Sequence, residues 1–147
     1  MTTKTSFKEH GELQSAITRD FVARFAPKVK LLYLEDGTKQ TLLFDKEKFA
    51  SIGVPLENFS GLPDTILLDE AKNRVFLIQG ITTTFPTPIS SDRRHALEKL
   101  FGACSAPRVY VNAFPDFITF RDFINNVARE SEVWIAETPS HLLRVRK

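Results

Sequence analysis

Asp64 follows Pro63 at the head of one apolar run and Gln79 ends the next, the two runs being joined by the polar turn DEAKNR. If that turn closes with Asp69 opposite Arg74, every opposed pair sums to the same number. Asp64 then falls opposite Gln79, Ile66 opposite Leu77 and Leu68 opposite Val75. Directly opposed residues share a face of a sheet with Cβ atoms roughly 4.5–5.5 Å apart, near enough for both side chains to reach one cation. A site at the open end of an otherwise apolar sheet face follows from the pattern. The local alternative is that Asp64 caps a turn after the proline and Gln79 bonds backbone at a strand end.

Arg93 and Arg94 open a helix after PISSD and form a guanidinium pair of the kind that holds phosphate, unless they salt-bridge Glu98 from a solvated face. Arg144, Arg146 and Lys147 either track a phosphate backbone or form a frayed basic tail. His10, His95 and His141 are scattered without metal-ligand spacing and are assigned no chemistry. Cys104 has no paired histidine and reads as a small core residue. A phosphate-binding glycine loop and a nucleophile elbow are both missing, which argues against nucleotide hydrolysis and acyl transfer.

The elements that must position these groups are punctuated by single Gly and Pro residues. Leu13, Ile17, Phe21, Val22 and Phe25 predict a helix over 11–26, closed by Pro27. VKLLYLE and KQTLLF flank DGT as a hairpin, and DKEKFASIG reads as a short helix. DTILLD and RVFLIQG are apolar on both faces, as central strands of a covered sheet are. SSDRRHALEKLFGA is a helix capped by Ser90 or Ser91 and stopped near Gly102. RVYVNAF, the helix DFITFRDFINNVARES, EVWIAE and HLLRV complete the chain, with Phe114, Phe117, Phe120 and Phe123 expected to pack a helix on the sheet. The fold class expected is α/β, a mixed central sheet flanked by helices.

At 147 residues the chain is expected to be one domain over 1–147. Twenty basic residues against eighteen acidic ones give a net charge of +2, which allows nucleic acid without demanding it. The single cysteine cannot close an intrachain disulfide, and the N-terminus shows no secretory pattern, so a cytoplasmic location is expected and the NFS sequon at Asn58 is a chance match. No apolar run approaches the roughly 20 residues of a membrane helix, and no membrane partner is expected.

Five blocks carry a resemblance to a known family: FVARFAPKVKLLYLED, LPDTILLDEAKNRVFLI, RRHALEKLFGACSA, VYVNAFPDFITFRDF and ARESEVWIAETPSHLL. From about His10 to His141 the chain resembles the catalytic domain of the BsuBI/PstI type II restriction endonucleases, a branch of the PD-(D/E)xK nucleases. The resemblance implies a restriction-endonuclease-like core, double-stranded DNA as substrate, magnesium as cofactor and a homodimer that cuts both strands. It also implies that Asp64 and Gln79 stand at the metal-ligand positions, that Lys39 or another nearby base orients water, and that Arg93 and Arg94 contact phosphate.

The departures cluster at site positions. LIQGITT stands where the family has LIEAVTS, so Gln79 replaces a glutamate; Gly61 replaces a lysine before LPD; Ala96 replaces a helix acid. Thr83-Thr84-Phe85-Pro86 replaces SHGP, RVRK replaces a glycine- and aromatic-rich end, and the resemblance does not extend to the family's N-terminal DNA-reading region, which is expected to be absent. Ile81 falls where the wider superfamily has its lysine, a position apolar in this branch. Removing one charge from the site is worth roughly 4 kcal/mol at about 4 Å and an effective dielectric near 20, before relaxation. The expectation is therefore a DNA hydrolase domain impaired by the amide, or an inactive module of the same fold that binds DNA or a partner subunit.

Overall fold

The computed structural model describes residues 10–36, 40–56 and 61–145. Seven strands form one sheet: β1 Val29–Glu35, β2 Thr41–Phe44, β3 Thr65–Asp69, β4 Arg74–Gly80, β5 Arg108–Phe114, β6 Glu132–Ile135 and β7 Leu142–Arg144, in the spatial order 2-1-3-4-5-6-7. β4, β5 and β6 run parallel to one another, and the remaining neighbours are antiparallel. This is the mixed α/β architecture expected, with strands where the apolar runs lie.

The β3–β4 hairpin has the register read from its turn, with Ile66 opposite Leu77, Leu68 opposite Val75 and Asp69 opposite Arg74. The last pair closes it chemically: Arg74 Nε donates to Asp69 Oδ2 at 3.0 Å, while Nη2 donates to the Phe25 carbonyl at 2.9 Å and fastens the preceding helix.

That helix, α1, is helical over 10–25, but Ile17–Phe21 forms a π turn. The four-residue spacing of Leu13, Ile17 and Phe21 drifts by about 40° per step around an α-helix of 3.6 residues per turn. The wider π turn takes up that drift and keeps all three against Phe76, Ile78 and Trp134 on one sheet face. The other face is covered by α2 Lys46–Ser51 and α3 Ser91–Leu100, whose Phe49, Leu97 and Phe101 pack on Tyr33, Ile66, Leu68, Val75, Leu77 and Tyr110. Ser90 is the α3 cap, its side chain accepting from Arg93 N–H.

The helix expected across DFITFRDFINNVARES is shorter: α4 covers Phe117–Phe123 and ends in a single 3₁₀ turn, Ile124–Asn126. Val127 is extended, and Val127 and Ala128 are buried; Ala128 N–H bonds the Ile89 carbonyl at 2.9 Å. Tertiary burial of those two small apolar residues outweighs the helical continuation. Phe120 and Phe123 do pack on Phe114, at ring separations of 5.3 and 6.5 Å, while Phe117 is about half exposed. Cys104 packs, partly buried, against the α2–α3 face. No described helix is long and apolar enough to cross a membrane.

One irregularity matters for function. β1 carries a bulge between Leu31 and Tyr33 where it pairs with β3. Val29 and Leu31 face α1, whereas Leu32 and Tyr33 both join the opposite core. A bulge re-aims every side chain after it, so Glu35 lies on the face of Tyr33 rather than that of Leu31.

Candidate active site

Asp64 sits one residue before β3, and its carboxylate is 98% buried, being only 2% exposed. Oδ2 accepts from Gly80 N–H at 3.1 Å and from Gln79 Nε2 at 3.2 Å, and His10 Nε2 lies 3.3 Å from the same oxygen. Oδ1 accepts from the Thr65 hydroxyl at 3.0 Å. The expected juxtaposition of Asp64 and Gln79 is therefore present. The amide turns its NH2 toward the acid and donates also to the Gly80 carbonyl at 3.0 Å, while Oε1 accepts from Arg93 Nη2 at 2.9 Å. Gln79 is a neutral bridge between an anion and a cation.

Glycine at position 80 makes the close approach of α1 feasible. A Cβ there would stand 3.2 Å from Leu13 Cδ2 and 3.3 Å from Asp64 Oδ2, tighter than side chains tolerate without movement. The space is shared with His10, whose ring is 3% exposed and packs 4.7 Å from that of Phe85. The three histidines are scattered through the sequence without metal-ligand spacing, and the Asp64 partner of His10 is brought to it by the fold.

Arg93, at the start of α3, reaches the site by length. Nη1 donates to the Thr87 carbonyl at 3.0 Å and Nη2 to the Leu62 carbonyl at 3.1 Å as well as to Gln79. Burial pulls the guanidinium below its ordinary value, while Asp64 and Glu35 pull it back up. The segment carrying Arg93 is pinned by the fully buried Asn112 on β5. Its Oδ1 accepts from Ile89 N–H at 2.7 Å and its Nδ2 donates to the Ile89 carbonyl at 3.1 Å.

Arg94 does not join its neighbour. Its guanidinium stacks over the Tyr110 ring at 5.1 Å, and Glu98 instead pairs with Arg108 at 3.0 Å and accepts from the Tyr110 hydroxyl. Ala96 is exposed and away from the cavity. Arg144 pairs with Glu132 at 3.5 Å on β7, three strands from β4 and so on the order of 14 Å away. Lys39 and Arg146 lie outside the described residues. Among the described residues, no lysine is a partner of the Asp64 carboxylate.

A cavity of about 540 Å³ opens at this end of the sheet, bordered by His10, Glu35, Asp64, Gln79, Thr87 and Arg93 among others. Glu35, which the sequence reading did not single out, is 8% exposed; its Oε2 accepts from the Tyr33 hydroxyl at 2.5 Å. Burial, and after it that hydrogen bond, push the Tyr33 phenol up to about 12. Among the described residues, no three His, Cys, Asp or Glu side chains converge as a ready-made metal cage.

The chain matches the BsuBI/PstI restriction endonuclease domain over residues 1–147. It is 35% identical over 135 residues to the type II restriction enzyme BsuBI of Bacillus subtilis, covering 92% of this chain and 42% of that enzyme. Against the type II restriction enzyme AplI of Arthrospira platensis it is 26% identical over 141 residues, covering 90% and 42% of the two chains. The structure of the SdaI restriction endonuclease matches with a TM-score of 0.86 at 29% identity, over 94% of this chain and 43% of that one. The chain thus spans less than half the length of these relatives, and its mixed seven-strand sheet flanked by helices is of the PD-(D/E)xK-like α/β type. It belongs to the BsuBI/PstI restriction endonuclease domain family.

Proposed function

We propose that this chain is a DNA phosphodiester hydrolase domain of restriction-endonuclease type, acting on double-stranded DNA with magnesium. The observation that carries the reading is the convergence of Asp64, Gln79 and Arg93 on one cavity at the sheet end. Hard cations take oxygen ligands, and the Asp64 carboxylate and Gln79 amide oxygen border that cavity, so the donor chemistry fits a magnesium ion. Bound there, the ion supplies an activated water and charge neutralisation at the scissile phosphate.

The chain's own groups do the rest. Asp64 fixes the position of the site, because its two oxygens are held by Gly80 N–H and the Thr65 hydroxyl. Arg93 spends three hydrogen bonds on protein acceptors, leaving two of the five guanidinium N–H groups to meet a phosphate oxygen. Lys39 remains the proposed base that orients water, with Arg144 and Arg146 as outlying phosphate contacts. Cutting both strands of a symmetric site calls for a homodimer, and a DNA-reading subunit is a further partner of this reading.

One observation favours a second reading, a nuclease-fold module that binds DNA or a partner without cutting. Gln79 donates its NH2 to Asp64 and accepts from Arg93, so both ends of the amide are already engaged by protein groups at the position where a ligand oxygen would be needed. Incubation of supercoiled plasmid with wild type, Asp64→Ala and Gln79→Glu, in magnesium and in manganese, separates the two. Nicking by wild type that disappears in Asp64→Ala supports the hydrolase. Silence in every variant with retained DNA binding supports the module.

A further inference from the structure

The ladder between β1 and β3 pairs Leu34 with Thr65, so the next opposed pair is Glu35 with Asp64, joined by Glu35 N–H to the Asp64 carbonyl at 2.9 Å. The ladder between β3 and β4 pairs Thr65 with Ile78, so its next pair is Asp64 with Gln79. The same row continues into β5, where Gln79 is opposite Asn112. Because of the bulge in β1, Glu35 shares the face of Asp64 and Gln79; strict alternation would have pointed it at α1. Across the open end of the sheet the row thus reads acid, acid, amide, amide.

Two carboxylates directly opposed on one face repel each other, and both of these are more than nine-tenths buried beside one cavity. Three further observations point to a cation between them. The Tyr33 hydroxyl bonds Glu35 and the Gln79 amide bonds Asp64 beside the same cavity, so the two charges act on one volume. His10, equally buried at the rim of that cavity, has no partner for its Nδ1 among the described residues. Gln79 has turned its oxygen away to Arg93, so the β4 side of Asp64 offers an N–H donor while the β1 side offers a carboxylate.

Resting on the hydrolase reading above, we infer that Glu35, carried onto the site face by the β1 bulge, supplies with Asp64 the second carboxylate that the divalent cation would otherwise find at position 79. Glu35 Oε2 stays oriented by the Tyr33 hydroxyl, which fixes the side chain before the ion arrives. Gln79 then serves chiefly to hold Arg93, and the net ligand charge of a two-acid site is conserved although the second acid has moved from the strand on one side of Asp64 to the strand on the other.

The test is calorimetric titration of the whole chain with magnesium and with manganese, for wild type, Glu35→Gln, Asp64→Asn, Gln79→Ala and Tyr33→Phe. Glutamine at 35 keeps an acceptor for Tyr33, and thermal unfolding in EDTA checks that each variant is folded. Expected are cation binding in wild type, a loss of at least about tenfold in Glu35→Gln and in Asp64→Asn, as ligand charge sets affinity at such sites, and a smaller loss than either in Gln79→Ala, which removes a neutral oxygen, and in Tyr33→Phe, which removes only the group that orients Glu35. Binding by Glu35→Gln equal to wild type overturns the assignment, as does wild type that binds neither ion. Plasmid cleavage in the same samples separates the two proposals. Cleavage that survives in Glu35→Gln with unchanged binding removes Glu35 and leaves the hydrolase. Glu35-dependent binding without cleavage by any variant keeps Glu35 and removes the hydrolase.

Discussion

Replacing Gln79 by glutamate restores the family's carboxylate and should destabilise the cation-free protein. The amide Nε2 donates to Asp64 Oδ2 at 3.2 Å, so the substitution deletes that hydrogen bond and sets a second negative charge beside the first. At about 4 Å and an effective dielectric near 20 the repulsion is roughly 4 kcal/mol. The new carboxylate lies the same short distance from Arg93, whose Nη2 already bonds Oε1 at 2.9 Å, and the attraction there is of similar size with the opposite sign. The charges nearly cancel, leaving the lost hydrogen bond and the unmatched repulsion from Glu35, together about 2 kcal/mol.

For a domain of this size that is about 4–8 °C in midpoint. Thermal unfolding of Gln79→Glu in EDTA should show the drop. Because a ligand at about 100 times its dissociation constant stabilises by about 2.7 kcal/mol, magnesium should restore the loss. A variant as stable as wild type in EDTA would refute the idea that the Gln79 NH2 group stabilises the buried Asp64 charge.

Asn112→Ala removes both bonds to Ile89 and leaves its buried N–H unpaired; the carbonyl keeps Ala128 N–H. A loss of about 2 kcal/mol or more in urea unfolding is expected, and a loss of half that would mean the segment before α3 is held by something else. Gly53 has φ +89°, and a Cβ there would fall 2.3 Å from the Ala103 carbonyl oxygen, so Gly53→Ala should cost about 2 kcal/mol or more by the same measurement. The Glu98 carboxyl is held below its ordinary 4.5 by hydrogen bonding from Arg108 and then Tyr110, against burial. Its contribution is therefore present above that value and lost as pH falls through the lower folded value. The stability gap between wild type and Glu98→Gln should shrink on acidification below about 4.5, and parallel pH curves would refute the pairing.

The fold was legible where burial is simple. β4 and β5 follow from apolar runs bounded by polar turns, and the β3–β4 register follows because the turn that closes Asp69 on Arg74 fixes every pair after it. The ends of elements were less legible, since they are set by distant partners. α4 stops where Val127 and Ala128 are drawn into the core beside Ile89, and α1 contains a π turn because its fourfold apolar spacing must stay over one sheet face. Neither partner is visible from the local pattern.

For the site, the hairpin arithmetic reached Asp64 and Gln79 because one turn fixes both. Arg93 was found from its place at a helix start, but its acceptors, Leu62 and Thr87 carbonyls and the Gln79 amide, come from three other segments. Glu35 was hidden by a physical cause that period-two reading cannot detect. In VKLLYLE, alternation assigns Glu35 to the face of Val29 and Leu31, and only the bulge at Leu32 transfers it to that of Asp64. Substituting Gln79 therefore tests half of the site. Glu35 on β1 stands opposite Asp64 as Gln79 on β4 does, so an amide at position 79 does not by itself lower the number of carboxylates that the fold brings together.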